Sequence, residues 1–381
     1  MHPLLTKAHE AYRLKIRDFA EREIGPVAAL LDEEERFSPE LTREMGRAGL
    51  LGITIPKQYG GQGLDTLSYI IAVEELARID GSQAATVAAH NSLGLAPILE
   101  YGTNEQKQKY LPRLTTGDHL WAFGLTEVKA GSDAKGTETT ATLEDDQWVI
   151  NGSKRYITNI SNELTLGITL QVMTPDENNQ LVPSTILVEK GTPGFEAKPM
   201  KGKMMWRASD TGRATFKACR VPAANLLGEP GKGLKNMLRT LDSGRLSIAA
   251  MGLGLAQGAF EMALTYARKR EQFNQPIARN QAIQFKLADI ALKIELARNT
   301  LYTACKLKDL GEPYGKEAAM SKLYASEVAK EVADDALQIF AGAGLFKNNP
   351  IERFYRDQRI LQIGEGTSEI LRMVVARHLG V

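Results

Sequence analysis

The sequence predicts a mainly α-helical protein with a β domain inserted in its middle. Three observations carry that reading. The first and last parts of the chain place apolar residues at steps of three and four, the helical period. The stretch from about 118 to 226 runs instead in short segments rich in Thr, Val, Ile and Trp, broken by Gly, Asp and Asn, as strands and turns do. The 381 residues, 43% hydrophobic and 24% charged, suffice for two or three domains with sizeable cores. The expected domains are 1–117, helical; 118–226, β; and 227–381, helical again.

Along the first domain, Leu5, Ala8, Tyr12, Ile16 and Phe19 share one helix face, and Gly25-Pro26 is expected to end that helix. Ser38-Pro39 reads as an N-cap followed by proline at the first helical position. "YGGQGLD" at 59–65 is a glycine-rich loop with no Lys-Ser/Thr after it, so it does not fit a phosphate-binding P-loop. Helices are expected again over 67–79 and 103–116. In the middle domain, Asn151-Gly152 lies between two strand-like runs and predicts a type I′ hairpin turn. "STILVEKG" and "ATFKACRVP" read as further strands of an antiparallel sheet. After "GEPGKG", long helices are expected near 234–270, 280–311, 314–345 and 366–379. Apolar faces of that length are best buried in a bundle.

Composition narrows the function classes. A formal net charge of +1 and the lack of long Lys/Arg runs argue against a nucleic-acid partner. Cys219 and Cys305 form no C-x-x-C, and the five histidines show no ligand spacing, so neither a disulfide framework nor a metal site is expected. A G-x-S-x-G elbow is missing too. With no signal-peptide pattern and no run of about 18 apolar residues, neither secretion nor a membrane span is expected. The sequons at Asn151 and Asn159 then read as chance, and a reducing compartment is the expected setting.

The segment "LQIGEGTSEIL" at 361–371 sets one acid, Glu365, between Gly364 and Gly366 next to an apolar run. Taken alone it could be an acid opening a helix, where the dipole favours it. It is not alone. "YGGQGLD", "GTNEQKQKYLPRL", "LTEVKAGSD", "NGSKRYITN", "RASDT", "LDSGR", "REQF", "QIFAGAG", "FYRD" and "IGEGTSEI" follow one another almost end to end. In order and spacing they resemble the flavin-dependent acyl-CoA dehydrogenase family. The resemblance implies an N-terminal helical domain, a middle β-barrel and a C-terminal four-helix bundle. It also implies FAD as cofactor and α,β-dehydrogenation of an acyl-CoA thioester to trans-2-enoyl-CoA. Glu365 matches the general base that takes the α-proton while hydride leaves the β-carbon for flavin N5. Burial should raise that acid's pKa towards the operating range. Its backbone N–H and a ribityl hydroxyl of FAD match the donors to the thioester oxygen. Some family members carry the base in an "LDxER" motif; here the motif reads "LDSGR", with Gly244 in that place, so no second carboxylate competes.

Other roles carry over by position. Phe123, Leu125 and Thr126 match residues lining the isoalloxazine, and Ser132 one touching cofactor phosphate or the substrate's pantetheine. Thr158 matches a flavin-contacting threonine, with Tyr156 where the family usually has Trp. Arg270 and Phe273 match residues on the pyrophosphate and adenine side, joined by Gln281, Gln338 and Gly342, some across a subunit boundary. Ala341 replaces a family glycine beside them, and Met205 another. Thr367 and Glu369 match adenylate-side contacts. Asp242 and Arg245 match a pair that positions the CoA moiety, with Gly366 next to the base on the substrate side. Ala84 stands where members acting on glutaryl-CoA carry arginine, which points to a short, medium or branched monocarboxylic acyl chain. The resemblance further implies an electron-transfer flavoprotein as acceptor, a homo-oligomer, commonly a tetramer, and a bacterial cytoplasm or mitochondrial matrix. Two alternatives remain open at this point: an acyl-CoA oxidase or other flavoenzyme on the same fold, and a non-catalytic helical scaffold.

Overall fold

The computed structural model describes residues 2–381. Seven helices come first: α1 (Lys7–Phe19), α2 (Gly25–Glu33), α3 (Pro39–Arg47), α4 (Thr66–Ala77), α5 (Gly81–Ala89), α6 (Ala96–Tyr101) and α7 (Asn104–Leu114). Their starts follow capping chemistry. The Ser38 hydroxyl accepts from the Leu41 amide at 3.1 Å, as expected from Ser-Pro. Thr6 and Thr103 build capping boxes with His9 and Gln106. Gly25-Pro26 does not end the first helix. The chain passes through a π-helical turn, Ala20–Ile24, straight into α2. Proline lacks the amide that a continuous α-helix would use, and a wider turn absorbs the loss.

Seven strands follow: β1 (Leu120–Gly124), β2 (Thr140–Glu144), β3 (Gln147–Thr158), β4 (Thr165–Pro175), β5 (Leu181–Glu189), β6 (Phe195–Pro199) and β7 (Thr211–Pro222). They pair in the order β1-β4-β2-β3-β7-β6, with β5 also on β4. No ladder among the described residues joins the two ends of that path. Two expectations are corrected here. The sheet is mixed, because β1 and β2 run parallel to β4. The hairpin turn is Asp145-Asp146, both at positive φ, and not Asn151-Gly152. Asn-Gly sits inside β3 at a bulge opposite β7, where Gly152 has φ 144°. A side chain there would come within 2.5 Å of the Thr139 hydroxyl. Asn-Gly suits a bulge as well as a turn, and Asp also tolerates the left-handed region, so the dipeptide alone could not separate the two.

The last part holds α8 (Gly233–Lys269), a short hairpin of β8 (Glu271–Gln272) and β9 (Gln275–Pro276), then α9 (Gln281–Asp309), α10 (Gly315–Phe340), α11 (Ile351–Asp357) and α12 (Ser368–Leu379). One apolar core joins α8, α9, α10 and α11 to α1, α4 and α5. A second fills the β domain, and a third, around Tyr110 and Trp121, lies between them. α8 is long and apolar enough to span a membrane by length and composition, against expectation, but 67% of its apolar window is buried within the fold. α4 is buried on every side. Its two acids are matched by cations: Glu75 by Arg17 at 2.9 Å and Glu74 by Arg298 at 3.2 Å.

Two of the sequence landmarks serve as staples between layers. In "FYRD", Arg356 reaches Asp32 at 2.7 Å and Asp357 accepts from the Trp206 amide at 2.8 Å. In "RASDT", Asp210 accepts from the Ser161 amide at 2.7 Å.

Candidate active site

Glu365 sits in a tight turn between a 3₁₀ segment, Gln358–Gln362, and α12. Its φ is 54° and that of Gly366 is 105°. Two consecutive left-handed residues reverse the chain and turn the acid inward. Gly366 takes this at no steric cost, while for Glu365 it costs about 1–2 kcal/mol. The residue as a whole is half-buried, but its Oε2 is shut from solvent and finds no hydrogen-bond partner. Burial pushes the carboxyl up to about 7, opposed by the positive charges of Lys322 and Arg245. The Glu365 amide donates to no group among the described residues.

The carboxylate presses on α8 at Gly244. A Cβ at that position would stand 1.9 Å from Oε2. The glycine that the sequence shows in place of a second acid is therefore what leaves room for the first. Leu93 closes the same spot, 3.2 Å from that Cβ position. The next residue, Arg245, is buried and binds Asp242 at 2.5 Å, and its Nε is left unpartnered.

Leu93 belongs to a π-helical segment, His90–Leu95, whose other side supports β1. The Trp121 amide donates to His90 Nδ1 at 3.2 Å, and Nε2 lies 2.7 Å from the Leu114 carbonyl. Those partners require a neutral ring protonated on Nε2, in keeping with a pKa that burial lowers to about 4. The end of β1, carrying Phe123, is thereby tied to the segment that touches the base. Beyond it, Leu125 and Thr126 are held by an ion pair that sequence reading did not find. Buried Lys154 binds Glu127 at 2.6 Å and the Leu125 carbonyl at 3.1 Å. Glu127 also accepts from the amides of Glu138 and Thr139, and the Arg155 amide donates to the Thr126 carbonyl at 3.0 Å. A lysine at a buried strand position was the available signal. Tyr156 lies at a second bulge of β3, 59% exposed at φ 59°, with the Arg155 guanidinium over its ring at 4.5 Å. The hydroxyls of Thr126, Thr158 and exposed Ser132 have no partner among the described residues. An outward aromatic ring, unpartnered hydroxyls and an orphaned acid fit a flat heterocyclic cofactor with a substrate beside it.

The other expected cofactor residues lie elsewhere. Arg270, Phe273, Gln281, Gln338 and Gly342 are all exposed, Phe273 to 89%. They gather at the far end of the helices, where Tyr266 of α8 stacks on Phe340 of α10 at 4.3 Å. That end is about 39 Å from Gly244 along α8 at 1.5 Å per residue. Ala341, beside them, adopts φ 50° and ψ −138°, a conformation proper to glycine. Thr367 caps α12, its hydroxyl accepting from the Ile370 amide at 3.2 Å, and Glu369 is exposed in the first turn. Ala84 is wholly buried on α5. Met205 is half-buried, and nothing in the structure explains its replacing glycine.

Comparison with known proteins agrees with this architecture. The family models of the acyl-CoA dehydrogenase N-terminal, middle and C-terminal domains match residues 6–118, 122–219 and 231–380. The probable acyl-CoA dehydrogenase YngJ of Bacillus subtilis is 47% identical over 98% of both chains. The structure of butyryl-CoA dehydrogenase from Megasphaera elsdenii is similar at a TM-score of 0.95 and 40% identity, over 99% of both chains. A chain solved under the description "Electron transferring flavoprotein of Acidaminococcus fermentans: Towards a mechanism of flavin-based electron bifurcation" is similar at 0.95 and 43%, over 100% of this chain and 99% of that one. With all three domain models matched in order, this chain belongs to the acyl-CoA dehydrogenase family of FAD-dependent oxidoreductases.

Proposed function

We propose that the protein converts a short-chain, monocarboxylic acyl-CoA to its trans-2-enoyl-CoA, with Glu365 as the general base. The observation that carries the reading is the orphaned Oε2 of Glu365 over Gly244, shut from solvent; burial there pushes the carboxyl up to about 7. An acid with that pKa is half ionised near neutral pH, where it can take a weakly acidic α-proton. Oε2 accepts that proton. The unengaged Glu365 amide is placed to donate to the thioester oxygen as negative charge develops there. Bound FAD supplies the acceptor for the hydride leaving the β-carbon. Phe123, Leu125, Thr126, Tyr156 and Thr158 hold its ring, and Ser132 its phosphate or the pantetheine. The Asp242–Arg245 pair positions the CoA moiety.

The short chain is supported by the resemblance to a butyryl-CoA dehydrogenase and by apolar Ala84 where a free terminal carboxylate would need a cation. The exposure of Arg270, Phe273, Gln281, Gln338 and Gly342, far along α8 from Gly244, supports a homo-oligomer in which these residues of one copy complete the site of another. Phe285, Leu292 and Leu296 leave an exposed apolar stripe on α9, consistent with that contact. An electron-transfer flavoprotein is the proposed electron acceptor.

The test is a panel of acyl-CoA thioesters, butyryl to octanoyl with glutaryl included, assayed with a dye acceptor. Butyryl-CoA should give the highest kcat/KM, and Glu365→Gln should stay yellow while losing about 10²- to 10⁴-fold in turnover. Ordinary turnover in that variant overturns the base assignment, and preference for glutaryl-CoA overturns the substrate class. Replacing the dye by dioxygen distinguishes a dehydrogenase from an oxidase.

A further inference from the structure

Lys322 is a side chain the chemistry above leaves unused and the fold buries completely, at 0% exposure. It lies on the core face of α10, between Ala318 and Ala325, both inaccessible. An ammonium in such a place costs several kcal/mol unless something there uses it. Its Nζ donates to the Gly366 carbonyl at 2.6 Å, its one side-chain hydrogen bond among the described residues. That carbonyl belongs to the residue following the proposed base.

The turn it reaches is strained, and α10 grips it on both flanks as well. Upstream, the Ser326 hydroxyl donates to the Leu361 carbonyl at 3.0 Å, and Gln362 Nε2 to the Ser326 carbonyl at 2.7 Å. Downstream, the Ser368 hydroxyl donates to Glu327 at 2.7 Å. Lys322 is the contact between them, at the left-handed pair itself. Resting on the reading of Glu365 as base, we propose that Lys322 is its positioning residue: the ammonium pins the Gly366 carbonyl and so fixes where the Glu365 carboxylate and amide stand.

The charge adds a second effect. The groups bearing on Glu365 are Lys322 on α10 and Arg245 on α8, with Tyr69 on α4 sensing its charge. Glu327 and Glu369 bear in turn on Lys322. Both cations oppose the rise that burial imposes on the base, so removing one moves its titration upward.

The test uses the holoenzymes of Lys322→Met and Lys322→Gln. Lys322→Met should lower kcat by about 10- to 100-fold, the cost of misplacing a reacting group by about 1 Å. The acid limb of its kcat/KM profile should move up by about one pH unit. Lys322→Gln retains a neutral donor, so it should recover part of kcat while keeping the shifted limb. Difference ¹³C NMR of carboxyl-labelled glutamate, against Glu365→Gln, follows the base without turnover and should show the same upward shift. Variants with full FAD content whose limb and carboxyl midpoint match the wild type overturn the proposal and leave Lys322 a packing residue. Should Lys322→Met fail to fold, Lys322→Gln decides on the same two readouts. An active Glu365→Gln sinks the base reading itself; an inactive one beside unshifted Lys322 variants sinks only this inference.

Discussion

The two ends of α8 differ in what they complete. Around Gly244 and Arg245 the helix is closed over by Glu365, Leu93 and α10, and the inner carboxylate oxygen Oε2 is shut from solvent. Around Arg270 the side chains project into open space, and a Cβ added at Gly342 would touch nothing within 4 Å. The same helix thus borders a closed pocket holding the proposed base near one end and an open surface at the other. The difference teaches that burial completes the pocket around Glu365 within one chain, while the surface around Arg270 stays open in it; the proposed homo-oligomer would close the second.

Changes at the closed end should have the largest effects. Gly244→Ala places a methyl where Oε2 now lies, so the base must move. Steady-state kinetics should show kcat down by about 10- to 100-fold with FAD content retained. At the open end, Phe273→Ala should weaken FAD retention by about thirtyfold, one hot-spot contact's worth. Because Phe273 is exposed, the melting temperature of the apoprotein should barely change. Loss of turnover in Phe273→Ala at saturating FAD would break the comparison.

The closed end also predicts a pH dependence of stability. The folded pKa of Glu365, about 7, exceeds its ordinary 4.5. Between those values the folded state holds a proton that the unfolded chain has lost, so stability falls as pH rises through this window. Glu365→Gln abolishes the penalty. Denaturation of holoenzyme and variant should show the variant gaining on the order of 1–3 kcal/mol at pH 8, and almost none below pH 4.5. The smallest effect belongs to Ala341→Gly at the open end. It relieves a conformation that L-residues avoid and should stabilise by about 1 kcal/mol in thermal melts.

Much of this was legible from residue order. Capping residues and apolar period located the helices, because both act over three or four positions. The Glu365 turn and the Gly244 vacancy could be named from motif spacing. The hairpin was misplaced because Asn-Gly serves bulge and turn alike, and the choice between them lies in the partner strand. Pro26 was read as a stop because a π-helical turn has no local signature. Lys154 and Lys322 were missed because a lysine carries no mark of burial until its neighbours are known; their signal was only a cation on an apolar face.

The sequence by itself determined the α–β–α order and the helix starts, since both depend on contacts within a few residues, and it singled out the lone acid through the order and spacing of motifs along the whole chain. Tertiary structure alone decided that this acid is dry, that a glycine on α8 makes its room and that a buried lysine on α10 holds its turn. Those facts depend on which distant segments meet, and desolvation and close packing exist only once they do.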